Sequence, residues 1–98
     1  MPDLRAEILA EIRRVFSVDL EVTEPVEPHH ELGRDLRVDS MGAVVLAVAL
    51  EDRFRVKLSD EDALMVVTVK DLVDLVERRS REALREGNPK PNQTEGAR

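Results

Sequence analysis

The sequence predicts an all-α protein, a four-helix bundle with a long first loop and a short third helix. Three observations carry that expectation. Apolar residues recur at three- and four-residue spacings over three long segments, the period of a helix face. Asp39, Ser59 and Thr68 each stand where a helical pattern begins, and short polar side chains there cap free N–H groups. Pro25 and Pro28 break the polar stretch between the first two segments.

Ninety-eight residues make one domain. The hydrophobic share is 42%, but the only two aromatic residues are Phe, so the core must be aliphatic. With no Cys there is no disulfide, thiolate metal site or cysteine nucleophile. The net charge of −6 argues against nucleic acid, which needs clustered Lys and Arg, and favours basic patches on other proteins. No apolar run approaches a membrane span and the N-terminus carries no apolar signal core, which permits the cytoplasm as the expected location; a monomer is expected.

Pro2 and Asp3 open the first helix. Leu4, Ile8, Leu9, Ile12, Val15 and Phe16 give it one apolar face over about residues 3–17, with Glu7, Glu11, Arg13 and Arg14 on the wet side. Residues 18–38 form the long loop, with Val22, Val26 and Leu32 tucked onto the core and a helical turn over 32–36. The second helix is expected from Ser40 to about Phe54. Arg55 to Leu58 reads as extended, with Val56 and Leu58 inward. Ser59 caps a short third helix, which the β-branched Val66, Val67 and Val69 stop. Thr68 and Asp71 resemble a capping box for a fourth helix, whose stripe is Val69, Leu72, Val73, Leu75 and Val76. Arg78, Arg79, Arg81 and Arg85 suit its C-terminal end and Gly87 can stop it. The expected domain is therefore 1–87, followed by a disordered tail at 88–98.

The functional interest centres on Asp39-Ser40-Met41. Asp39 is a good N-cap, which places the Ser40 hydroxyl outside a helix end beside free N–H groups and the positive pole of the dipole. Such an end suits a phosphate or phosphodiester on that serine. Along the helix, Ala43, Leu46, Ala47, Leu50 and Phe54 share one face and should turn to the core. Met41, Val44, Val45 and Val48 form a nearly opposite apolar face, which points to docking, with Glu51 and Asp52 beside it to steer basic partners. Acidity also concentrates here: residues 19–39 hold seven acids against Arg34 and Arg37.

Competing chemistry is poorly supported. His29 and His30 are adjacent, their side chains should point apart, and no further His or Cys completes a metal site. A Ser40–His nucleophile lacks the Gly-x-Ser-x-Gly elbow. The acidic run from Asp60 lacks the spacing, central Gly and later Glu of a calcium loop.

Leu36, Asp39-Ser40-Met41, Val44, Leu46, Ala49-Leu50-Glu51 and Phe54 resemble the phosphopantetheine attachment region of acyl carrier proteins. The resemblance continues through Val56 to Asp62, Thr68-Val69 and Asp71, and with helix one covers roughly residues 3 to 80. It implies a non-enzymatic carrier of the fatty-acid, polyketide or specialised-lipid type. Acyl intermediates would ride as thioesters on a covalent 4′-phosphopantetheine arm, taken from coenzyme A and attached to Ser40 beside Asp39 and Arg37. The implied partners are a phosphopantetheinyl transferase and synthase enzymes of the ketosynthase, acyltransferase or acyl-ligase type. An aminoacyl or peptidyl carrier and an unmodified helical scaffold are the alternatives. Arg37 stands where the family usually has Gly, Val38 replaces a small residue, and Gly42 and Val45 replace acids. These departures favour a dedicated secondary-metabolite or specialised-lipid pathway over central fatty-acid synthesis.

Overall fold

A computed structural model describes residues 3–85; the expected stop at Gly87 and the tail at 88–98 lie outside them. The helices are α1 (Leu4–Arg14), α2 (Ser40–Phe54), α3 (Asp60–Met65) and α4 (Val69–Arg85). The expected four helices, long first loop and short third helix are all present.

The Asp3 side chain accepts the Arg5 N–H and caps α1. The sequence reading ran one regular helix to about residue 17. Instead α1 widens into a π turn over Val15–Asp19, after which the Leu20 N–H reaches the Val15 carbonyl at 3.0 Å. Ile8, Ile12, Val15 and Phe16 are all fully buried. Such wide turns are short departures from the regular helix and leave little mark on an apolar pattern.

The core collects these four residues with Leu46 and Leu50 of α2, and with Val69, Leu72, Val73 and Val76 of α4. Val26 and Leu36 of the long loop are buried too, while Val22 and Leu32 pack on its edge. Arg13, expected on the wet side, spans α1 and the loop: its Nε donates to the Val26 carbonyl at 2.9 Å. Arg5 of α1 meets Asp74 at 2.7 Å and Glu77 at 2.8 Å on α4.

Both predicted caps of the later helices form. Ser59 and Asp62 make a reciprocal capping box on α3. On α4 the Asp71 N–H donates to Thr68 Oγ1 at 3.1 Å, and the Thr68 N–H returns to Asp71 Oδ2 at 3.0 Å. The first N–H groups of a helix have no partner inside it. Here the loop supplies two: Val69 N–H donates to the His30 carbonyl at 3.0 Å and Lys70 N–H to the Pro28 carbonyl at 2.8 Å. Leu32 N–H donates to the Val67 carbonyl at 2.9 Å, beside a single antiparallel bridge between Glu31 and Thr68. This main-chain clip fixes the loop that leads into α2.

Arg55 is not extended as expected. It closes α2 in the left-handed region at φ 57° and ψ 47°. Val56 beyond it is buried and Leu58 packs on the core edge. Among the described residues no helix is long and apolar enough to cross a membrane.

Candidate functional site

Asp39 is extended at φ −94° and ψ −174°, and its Oδ1 accepts the Gly42 N–H at 2.7 Å. The Ala43 N–H bonds the Asp39 carbonyl at 2.9 Å. That leaves the N–H groups of Ser40 and Met41 without an acceptor among the described residues. Ser40 is exposed at the first position of α2, so its hydroxyl sits in the open at the positive end of a 15-residue helix.

Gly42 is buried under this turn. A Cβ there would stand 3.3 Å from both Asp39 Oδ1 and Val38 Cγ1, so the glycine lets loop and cap approach closely. Arg37 is left-handed at φ 58°, a conformation that glycine adopts freely and an L side chain does not. No ion pair engages Arg37 among the described residues. The Asp35 carboxylate, one candidate partner, accepts the Glu31 N–H at 2.8 Å.

A groove of about 410 Å³ starts at Ser40 and runs between α2 and α3. Leu46, Leu72 and Leu75 lie at its base, with Ala43, Ala47 and Ala63 along its sides. Ala43 was expected in the core. It is exposed at the groove mouth because α3, which buries no residue, does not close over it. The groove is therefore an apolar slot between short side chains that opens beside Ser40.

Beyond the groove, whose rim Val44 also lines, α2 is apolar and open: Met41 is 71% exposed, Val44 57% and Val48 56%. Leu64 and Met65 of α3 are exposed as well, at 82% and 80%. Sequence periodicity did not flag these two. Val45 differs from its neighbours and is half-buried against the core. Asp52 is exposed, whereas the Glu51 carboxylate accepts the Leu58 N–H at 2.8 Å and so holds the corner after α2.

His29 and His30 do not point apart. Their ring centroids are 4.5 Å apart, and His30 Nδ1 accepts the Glu27 N–H at 3.0 Å. The pair belongs to the turn beneath the clip. No group of three or more His, Cys, Asp or Glu that could hold a metal ion occurs among the described residues. The two capping carboxylates of α3 and α4 are held below their usual value. Asp71 is lowered by N–H groups of Thr68 and Val67, and Asp62 by the Ser59 N–H and then by the Arg79 guanidinium.

Residues 6–76 match the family model described as a phosphopantetheine attachment site. An acyl carrier protein of Thermosynechococcus vestitus is 36% identical over 73 residues, spanning 74% of this chain and 90% of its own length. One from Helicobacter hepaticus is 40% identical over 52 residues, spanning 53% and 68%. The crystal structure of an acyl carrier protein from Thermotoga maritima superposes with a TM-score of 0.72 at 26% identity, covering 81% of this chain and 93% of that one.

Proposed function

The chain belongs to the acyl carrier protein family, carriers of acyl intermediates on covalent 4′-phosphopantetheine, and we propose that Ser40 is the residue that holds the arm. One observation carries the assignment: Ser40 is exposed on the capped start of α2, at the mouth of the apolar groove. When bound, the arm supplies a thiol for thioester attachment of cargo. The chain's own part is to place, steer and shelter. The N–H groups of Ser40 and Met41 face the position of the phosphodiester. Asp39 fixes the helix start, and the exposed Arg37 side chain can pair with phosphate oxygens through two N–H groups.

Family membership implies work with a phosphopantetheinyl transferase and synthase enzymes. The finer reading is that these dock on Met41, Val44 and Val48, with Asp52 at the border and Val45 behind them. Met41, Val44 and Val48 make this face apolar rather than acidic, which suits a dedicated ketosynthase, acyltransferase or acyl ligase of a specialised pathway. A cytoplasmic monomer goes with this reading. The test is intact-mass measurement after incubation with coenzyme A and a broad-specificity transferase. Wild type should gain one phosphopantetheine, and Ser40→Ala should fold and gain nothing. Modification of Ser40→Ala would remove the assignment.

A further inference from the structure

α3 is a wall without foundations. It is six residues long, and none of them is buried. Helices that short do not persist in water by themselves. Its capping box satisfies its own first turn but binds it to nothing else. The bonds from Leu58 to Glu51 and from Leu32 to Val67 hold the chain on either side of α3, not α3 itself. Among the described residues, one polar side-chain bond ties the body of α3 to another helix: Arg79 Nη2 of α4 meets Asp62 Oδ1 at 2.7 Å.

That contact is well placed and well supported. Leu75, at the base of the groove, lies one helical turn before Arg79 on the same face of α4. Ala63, beside Asp62, lines the groove from the other side. Both partners are held from behind. Asp62 Oδ2 accepts the Ser59 N–H at 3.1 Å, and Arg79 Nη1 meets Glu82 at 3.1 Å. Their side chains are 15% and 31% exposed, so the pair is more sheltered than the Arg13–Glu27 pair at 48% and 45%. A short charge-assisted bond between preorganised groups is the strong kind.

We propose that the Arg79–Asp62 pair is a latch that keeps α3 in place as one wall of the groove, making Arg79 a positioning residue for cargo shelter. This rests on the reading that Ser40 carries the arm. Without the latch, α3 keeps its caps but swings on the segments at 56–59 and 66–67. A chain long enough to lie in the groove then loses one wall, whereas a two-carbon cargo that does not reach in loses nothing.

The test compares wild type, Arg79→Gln, Arg79→Lys and Asp62→Asn, the last keeping an oxygen for the Ser59 N–H. Amide hydrogen exchange on the unmodified proteins comes first. Arg79→Gln and Asp62→Asn should speed exchange over residues 62–66 by roughly two- to fivefold, with α1, α2 and α4 unchanged. Arg79→Lys should lie between. Unchanged exchange over α3, or a rise spread over the whole chain, overturns the latch. Octanoyl and acetyl forms of the loaded proteins are then challenged with hydroxylamine. The octanoyl thioester should be cleaved roughly two- to fivefold faster in Arg79→Gln, and the acetyl thioester equally fast in both. Equal octanoyl rates, or a matching rise for acetyl, overturn the role in shelter. A wild type that gains no mass with coenzyme A and transferase fails the Ser40 reading instead, and exchange still decides whether α3 is latched.

Discussion

Glu51 and Leu58 are joined across the corner between α2 and α3: Glu51 Oε2 accepts the Leu58 N–H at 2.8 Å. The sequence placed Glu51 on a steering surface, but its carboxylate first closes a part-buried backbone donor. Glu51→Gln, which keeps an oxygen acceptor, should change stability by less than about 0.5 kcal/mol. Glu51→Ala leaves the donor unpaired and should cost about 1–3 kcal/mol. Urea unfolding of both variants checks this. Equal losses would mean that the charge, not the acceptor, is what the corner uses.

Gly42 sits where helix propensity and crowding oppose each other. Alanine should gain about 1 kcal/mol in an exposed helix, but its Cβ would press on an Asp39 carboxylate pinned at 2.7 Å. Gly42→Ala is therefore expected to be near neutral. Asp39→Ala alone should cost about 1 kcal/mol as a lost cap. In that background Gly42→Ala should recover part of its propensity gain, with the Val38 methyl at 3.3 Å still crowding the new Cβ, for a coupling of about 0.5 kcal/mol. Strict additivity in denaturant unfolding would show that the cap can retreat freely.

Arg37 holds a left-handed backbone at φ 58°. Arg37→Gly should stabilise the unmodified protein by roughly 0.5 kcal/mol, the strain relieved less the extra backbone entropy of glycine. If the guanidinium pairs with the phosphodiester, modification should stabilise wild type by about 0.5 kcal/mol more than Arg37→Gly. That excess should shrink with added salt. Melting both forms of both proteins at low and high salt decides it, and equal modification effects leave Arg37 as a solvated arginine.

Acid should loosen the caps of α3 and α4, alongside the Arg-paired carboxylates of Glu11, Asp74 and Glu77. Asp71 and Asp62 have folded pKa values below the ordinary 3.8. A depressed carboxylate stabilises fully above its unfolded pKa, and that contribution fades as pH falls through the folded one. Neither group should contribute a slope between about pH 7 and pH 5, and both should contribute one below about pH 4. Asp71→Asn should flatten the acid limb of melting temperature against pH. An unaltered limb would place the acid-sensitive groups elsewhere.

The sequence read most clearly where one physical cause acts alone. The bounds of α2, from Ser40 to Phe54, follow from a polar cap and an uninterrupted apolar period. The Ser59–Asp62 and Thr68–Asp71 boxes follow from spacing. What stayed hidden depends on several causes at once. The π turn at Val15–Asp19 changes hydrogen bonding without changing which residues are apolar. Left-handed Glu21, Arg37 and Arg55 carry no glycine to announce them. At Arg37 the signal was present, since the family's usual glycine there had a backbone meaning. Ala43 and Val45 exchanged their expected surroundings because helix projection gives direction but not what stands opposite. Arg13 was read by its charge, while its use is to hold the loop carbonyl of Val26.

The clip between residues 28–32 and 67–70 bears on which substitutions this chain can accumulate. Its bonds run from main chain to main chain, with donors at Leu32, Val69 and Lys70. Most side-chain changes at exposed His29 or Lys70 leave the clip's own bonds untouched, so those positions are open to drift. Proline is the exception. The first turn of a helix is ordinarily where proline is welcome. At Lys70 it would delete the N–H that holds Pro28 and loosen the approach to Ser40. Lineages carrying this fold can therefore diverge in loop chemistry while being barred from one residue at one helix start, and the bar acts through backbone that lies far along the chain from the serine it protects.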